Sequence, residues 1–171
     1  VSVALLHLAM GGLAQGFLPA ARNHLAERAA LQAAMGWPAD VGDLIVRSWT
    51  GDADGARAEA SRVAALAAAH DHGWMQVFAE YAASVLELGL GRYGAALEPA
   101  RRTYWDNPSL ALVAFPNLVE AAVRADAGEL AVQAACDLRQ RAGSAPSPLA
   151  GALLETAAAL TAGAAAEAHF E

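Results

Sequence analysis

Leu88-Gly89-Leu90-Gly91-Arg92-Tyr93-Gly94-Ala95-Ala96-Leu97 is the stretch on which the fold turns. Glycines stand where a chain has to leave one helix, an aromatic follows, and small and aliphatic residues start another. Glycine suits the end of a helix because it enters the left-handed backbone region at little steric cost. On the N-terminal side, Trp74, Phe78, Tyr81, Val85 and Leu88 recur at helical spacing and give one apolar stripe. On the C-terminal side, Ala96, Leu97 and Ala100 carry a second helix to about Trp105. The stretch therefore joins two helices.

The same signal recurs along the chain. Gly16, Gly51, Gly91, Gly128 and Gly163 are separated by roughly 35, 40, 37 and 35 residues, near the period of about 34 that marks a tetratricopeptide repeat. Asn107-Pro108 predicts a helix start, with asparagine as cap and proline in the first turn. That helix carries Leu112, Phe115, Val119 and Ala122 on one face. Asp126-Ala127-Gly128-Glu129 has capping-box spacing ahead of Leu130, Ala134 and Leu138. Ser147-Pro148 repeats the cap and proline before a helix reaching about Leu160. Upstream, Asp54 precedes the stripe Ala56, Ala60, Val63 and Ala67. The expectation is an all-α chain, a right-handed α-solenoid of antiparallel helix pairs, tetratricopeptide-like, forming one domain over residues 1–171. About five pairs are expected, the last incomplete. Pro99 and Pro116 fall inside apparent helices, and each predicts either a kink or a helix boundary.

Composition narrows the function. Hydrophobic residues make up 56% of the 171 and charged residues only 17%, which excludes a disordered tail. Alanine fills roughly a quarter of the positions and favours helix. All eleven basic residues are arginine, and the net charge is −7, so the chain lacks the phosphate-neutralising term that drives nucleic-acid binding. Neither direct nucleic-acid binding nor membrane association is expected, since charges or glycines break every long apolar run. One cysteine, Cys136, precludes an internal disulfide and fits a reducing, cytoplasmic setting. The first residues, Val1 to Leu6, and the last, Ala166 to Glu171, read as helix interior, an expectation that the chain is a piece of a longer protein.

A more particular resemblance rests on ordered blocks. Leu90-Gly91-Arg92-Tyr93, Ala100-Arg101-Arg102 and Leu118-Val119-Glu120-Ala121-Ala122-Val123-Arg124-Ala125 closely resemble the helical region of large LuxR-type transcriptional regulators, from about Trp49 onward. Such regulators join an N-terminal ATPase, a tetratricopeptide-like sensor and a C-terminal helix-turn-helix. The resemblance implies a sensor segment that receives a protein, peptide or small-molecule effector and relays it to those ATPase and DNA-binding modules. A lysine-free chain cannot contain the phosphate-binding Gly-x-x-x-x-Gly-Lys stretch itself. Glu87-Leu88 stands where relatives often carry Tyr-Asn, and Asn117 where an acid is common. The second reading is a stand-alone tetratricopeptide adaptor for protein assembly. Self-association as a homodimer through open helix ends is a further expectation.

No enzymatic constellation stands out. His70-Asp71-His72 offers two imidazoles, too few for a structural zinc site, and lies where a helix should end. His7, His24 and His169 are isolated. Cys136 reads as a small buried hydrophobe. Glu80 and Glu87 lie two turns apart on one helix face, a geometry open to acid–base chemistry but commoner in solvated faces. Trp74, Phe78 and Tyr81 read as core, while Trp37, Trp49 and Trp105 should plug gaps at helix ends. The expectation is a non-catalytic chain with no cofactor and no metal. If the first helix of each pair lines a groove, Arg47, Gln76, Glu80, Glu87, Asn117, Glu120, Arg124 and Glu155 are its candidate residues.

Overall fold

The computed structural model describes residues 1–37, 41–144 and 147–162. Among these the chain is all-helical, with no strand. The helices are α1 (Ser2–Ala14), α2 (Leu18–Ala34), α3 (Gly42–Trp49), α4 (Ala53–His70), α5 (Gly73–Gly89), α6 (Tyr93–Asp106), α7 (Ala111–Arg124), α8 (Gly128–Ser144) and α9 (Pro148–Ala162). The turn expected at Gly163, the isolated His169 and the helix interior expected from Ala166 to Glu171 lie outside the described residues.

Left-handed residues explain where the helices stop. Gly16, Gly36, Gly51 and Gly91 have positive φ after α1, α2, α3 and α5. Aspartate takes over twice, at Asp71 (φ 53) after α4 and Asp126 (φ 60) after α7. A short polar side chain makes that backbone tolerable. In both cases the next N–H reaches back to close the helix: His72 to the Ala67 carbonyl at 3.0 Å, and Ala127 to Ala122 at 2.8 Å. This corrects two expectations. Asp126 ends α7 rather than capping α8, and Gly128 is the first residue of α8, not a turn glycine.

The expected start at Asn107-Pro108 also shifts. Asn107 is extended (φ −135, ψ 90) and α7 begins only at Ala111. The ring of Pro108 disfavours helical backbone at the residue before it. Asn107 is then held by a short turn, its Oδ1 accepting from Ser109 Oγ at 2.6 Å and its carbonyl from Leu110 N at 3.1 Å. Ser147 does cap α9, its Oγ accepting from Ala150 N at 3.1 Å. Pro99 and Pro116 lie inside α6 and α7, not at boundaries. Each lacks a backbone donor, so the i→i−4 hydrogen bonds to the carbonyls of Ala95 and Leu112 are missing.

The chain divides into two compact units, Val1–Ala82 and Ala83–Glu171. In the first, α1 packs on α2, α3 on α4, and α2 also meets α3. Its buried side chains include Leu25, Val41, Ile45, Val63, Met75 and Tyr81. In the second, α7 packs against α6, α8 and α9, and α8 packs against α9. Tyr104, Phe115, Leu118, Val119 and Leu138 form its core, and the alanines at 100, 114, 122, 131 and 134 lie buried among them. Small side chains at these positions let helix axes approach closely. Tyr104 also ties α6 to α8: its hydroxyl donates to Asp137 Oδ2 at 2.7 Å, and Arg141 completes the cluster on Asp137 at 2.8 Å.

On α5 the buried line runs through Met75, Tyr81, Ala82 and Leu86 rather than through Trp74. Trp74 is exposed and meets the edge of Phe78 at 6.0 Å. Trp37 and Trp49 are exposed as well, and Trp105 packs against the core cluster of the second unit. The stripe inferred from 3.6-residue spacing holds at Tyr81, which is buried, and is half-buried at Phe78, Val85 and Leu88; at its start Met75 takes the inward position expected of Trp74.

Candidate functional site

In the first unit α2, α3 and α4 enclose a cleft of about 480 Å³. Each wall is written in the sequence at helical spacing. Arg22, Leu25, Ala26 and Ala29 lie on one face of α2, and Asp43, Val46, Arg47 and Thr50 on one face of α3. Glu59 and Arg62, one turn apart on α4, and Asp52 at its start complete the lining. Leu25, Ala26, Ala29 and Val46 give an apolar floor, and charged groups of both signs form the rim.

The charges are organised by the α3–α4 turn. Asp52 caps α4 by accepting from Gly55 N at 3.1 Å and holds Arg47 in an ion pair of 2.5 Å. The Gly55 hydrogen bond first, and the Arg47 guanidinium second, keep the Asp52 carboxyl below the usual carboxylate range. On α4, Arg62 Nε donates to Glu59 at 2.9 Å, which raises the guanidinium pKa, with Asp43 adding a smaller electrostatic contribution. Arg22 makes no ion pair among the described residues. Beside the cleft, Arg28, Gln32 and Ser48 are buried polar side chains of α2 and α3, and burial pushes the Arg28 pKa down.

Gly55 is the residue that makes this arrangement fit. A Cβ there would run into both the Asp52 carboxylate and the Arg47 guanidinium. Alanine inside a helix normally gains about 1 kcal/mol over glycine. Gly55→Ala is expected to forfeit that gain and lower the thermal midpoint, because the cap is displaced. Carboxyl-detected NMR titration should show the Asp52 pKa returning toward the ordinary range; an unmoved Asp52 with a raised midpoint contradicts the packing.

Of the sequence candidates, Arg47 alone lines the cleft. Gln76 Nε2 donates to Glu80 Oε1 at 3.3 Å along α5. Glu87 pairs with Arg92 at 3.6 Å across the Gly91 turn. Asn117 is half-buried and donates from Nδ2 to Ser84 Oγ at 3.0 Å, tying α7 to α5 within the second unit. Glu120 pairs with Arg124 at 2.9 Å, and the Arg124 guanidinium lies 5.2 Å from the Tyr93 ring centroid. Glu155 is exposed on α9. The structure thus brings together Gln76 with Glu80 and Glu120 with Arg124, while Arg47 gathers with partners that sequence reasoning passed over. Arg22, Asp43, Glu59 and Arg62 were legible only as solvated charges. The signal that finds them is the pair of i, i+3, i+4, i+7 faces of mixed charge and small apolar residues on consecutive helices.

Cys136 is exposed on α8, correcting the expectation of a buried thiol. Leu138 and Ala134 take the inward positions of that helix. A thiol-reactive reagent should therefore label Cys136 fully in the folded protein without denaturant; labelling that needs denaturant contradicts this face assignment. His70 and His72 stack at the end of α4 with ring centroids 5.8 Å apart. Among the described residues no three His, Cys, Asp or Glu side chains gather as a metal site, and no helix is long and apolar enough to cross a membrane.

Comparison with protein-family models, with curated proteins and with solved structures gave no match.

Proposed function

We propose that this chain is a non-catalytic recognition segment, the helical-repeat sensor region of a LuxR-type regulator. It binds an effector and relays it to ATPase and DNA-binding modules encoded beside it. The observation that carries recognition over catalysis is the state of the cleft. Its guanidiniums Arg47 and Arg62 are already matched by the neighbouring carboxylates Asp52 and Glu59, and Asp52 is held ionised. A general acid or base works best with a pKa near the working pH, and Asp52 is moved the other way. Matched charges over an apolar floor suit binding of a complementary ligand.

The repeat reading is supported by α7, which touches α9 as well as its neighbours α6 and α8. Contact between alternate helices is what stacking of two-helix repeats requires. Helix ends marked by left-handed residues at 16, 36, 51, 71, 91 and 126 fit short, regular connections. The LuxR-type placement rests on the ordered sequence blocks.

Determining the coding sequence on both sides of the chain tests the proposal. A nucleotide-binding loop on the N-terminal side and a helix-turn-helix on the C-terminal side are the expected result. Their absence in a gene that encodes the whole protein overturns the regulator reading in favour of the tetratricopeptide adaptor, which the exposed Leu112 and Val113 on α7 would then serve as a docking face.

A further inference from the structure

We infer that the α2–α3–α4 cleft takes a small zwitterion, an amino acid or short peptide with free termini, its carboxylate on Arg22 and its ammonium group on Asp43. The inference rests on the reading of this chain as a recognition segment and names the ligand class of that site.

The charge layout decides the class. The cleft holds three guanidiniums (Arg22, Arg47, Arg62) and three carboxylates (Asp43, Asp52, Glu59). A phosphate or other small polyanion entering it would meet as many carboxylates as arginines, and two of the three guanidiniums, Arg47 and Arg62, are already held by Asp52 and Glu59. A cation faces the converse difficulty. A ligand that carries both signs at its two ends disturbs neither pair. Arg22 on α2 makes no ion pair among the described residues, and its planar fork suits a carboxylate in two-point contact. Asp43 on α3 is exposed and supplies the opposite charge from the facing wall. In the same lining Leu25, Ala26, Ala29 and Val46 offer apolar surface for a side chain. The volume of about 480 Å³ lies within the range of small-molecule sites.

The Arg47–Asp52 pair plays a separate part. It bridges α3 to the start of α4, with Gly55 leaving room for it, and both of its side chains line the cleft. Arg47 is thus a positioning residue rather than the ligand's own partner.

Isothermal titration calorimetry of the full chain tests the assignment, using L-alanyl-L-leucine, its N-acetylated and C-amidated forms, free leucine and inorganic phosphate. At least one unblocked zwitterion should bind. Acetylation and amidation of the dipeptide should each weaken binding about tenfold, the scale of one lost charge-assisted hydrogen bond. Arg22→Gln should erase the discrimination against the amide alone, and Asp43→Asn that against the acetylated form alone. Both positions are exposed, and an unchanged circular dichroism spectrum confirms that each variant folds. Absence of binding by every zwitterion, equal binding of blocked and free forms, or a preference for phosphate overturns the inference. Those outcomes leave the regulator reading standing if the flanking modules are found. Binding with the expected discrimination but without those modules sinks the regulator placement and keeps the site.

Discussion

A Phe115→Ala variant is expected to lose about 3–5 kcal/mol of folding stability. Phe115 is only 1% exposed and belongs to the cluster in which α6, α7, α8 and α9 meet. Its ring lies 5.9 Å from that of Tyr104, which is itself fully buried. Truncation to alanine removes apolar area and leaves a cavity that neighbouring alanines, with no side-chain reach, cannot fill. The loss is large against the total of about 5–15 kcal/mol typical of a domain. Leu112→Ala, one turn earlier on α7, is the control: Leu112 is 41% exposed, and a change of within about 0.5 kcal/mol is expected. Urea unfolding followed by helical circular dichroism gives both values. Equal effects at the two positions would contradict the orientation of α7.

Alkaline pH should destabilise the protein through its buried phenols. Burial pushes Tyr81 up to about 12, against a smaller opposing effect of the indole N–H of Trp49, which donates to the phenol oxygen. Tyr104 is raised as well, first by burial and then by its hydrogen bond to Asp137. A phenol with a raised folded-state pKa contributes stability that is fully present below its unfolded value near 10. That stability is lost as pH rises from there through the folded value. A shift of the size at Tyr81 amounts to on the order of 2–3 kcal/mol across the window. The chain makes the measurement unusually clean, because it contains no lysine and arginine titrates higher. Urea unfolding at intervals from about pH 9 to 12, with tyrosinate absorbance read in parallel, should show falling stability. Tyr81→Phe should flatten the fall. A flat wild-type profile, or an unchanged slope in the variant, contradicts the burial of Tyr81.

Helix content and the main turns were legible because glycine, proline and apolar spacing act locally. Gly16, Gly51 and Gly91 sit where the sequence put turns, and Ser147 caps as its spacing implied. What was missed depends on tertiary choices. Asp71 and Asp126 adopt a backbone that sequence statistics assign to glycine, and Asn107 yields to the ring of Pro108. Trp74 and Cys136 have the character of core residues, yet Met75, Ala134 and Leu138 hold the inward positions. Adjacent apolar residues such as Trp74 and Met75 differ by some 100° of helix rotation, and spacing alone does not choose which of the two turns inward.

The candidate site was less legible than the fold. Arg47 was selected for its place on a helix, but its chemistry depends on Asp52 five residues on and on the room left by Gly55. Arg22 and Asp43 come together in one lining only through the packing of α2 against α3, which no local pattern states. Asn117 and Ser84 meet in the same way, through contact between helices 33 residues apart in sequence. Polar residues on amphipathic helices therefore divide into structural ties and open groups only once their partners are known.

The zwitterion site in the α2–α3–α4 cleft is tested most directly by amide chemical-shift mapping of the isotopically labelled chain during addition of L-alanyl-L-leucine and, separately, of free leucine. Saturable shifts confined to the Arg22–Ala29 face of α2, the Asp43–Thr50 face of α3 and the first turns of α4 are the predicted result. Shifts centred elsewhere, or a spectrum that stays unchanged up to millimolar ligand, would contradict it.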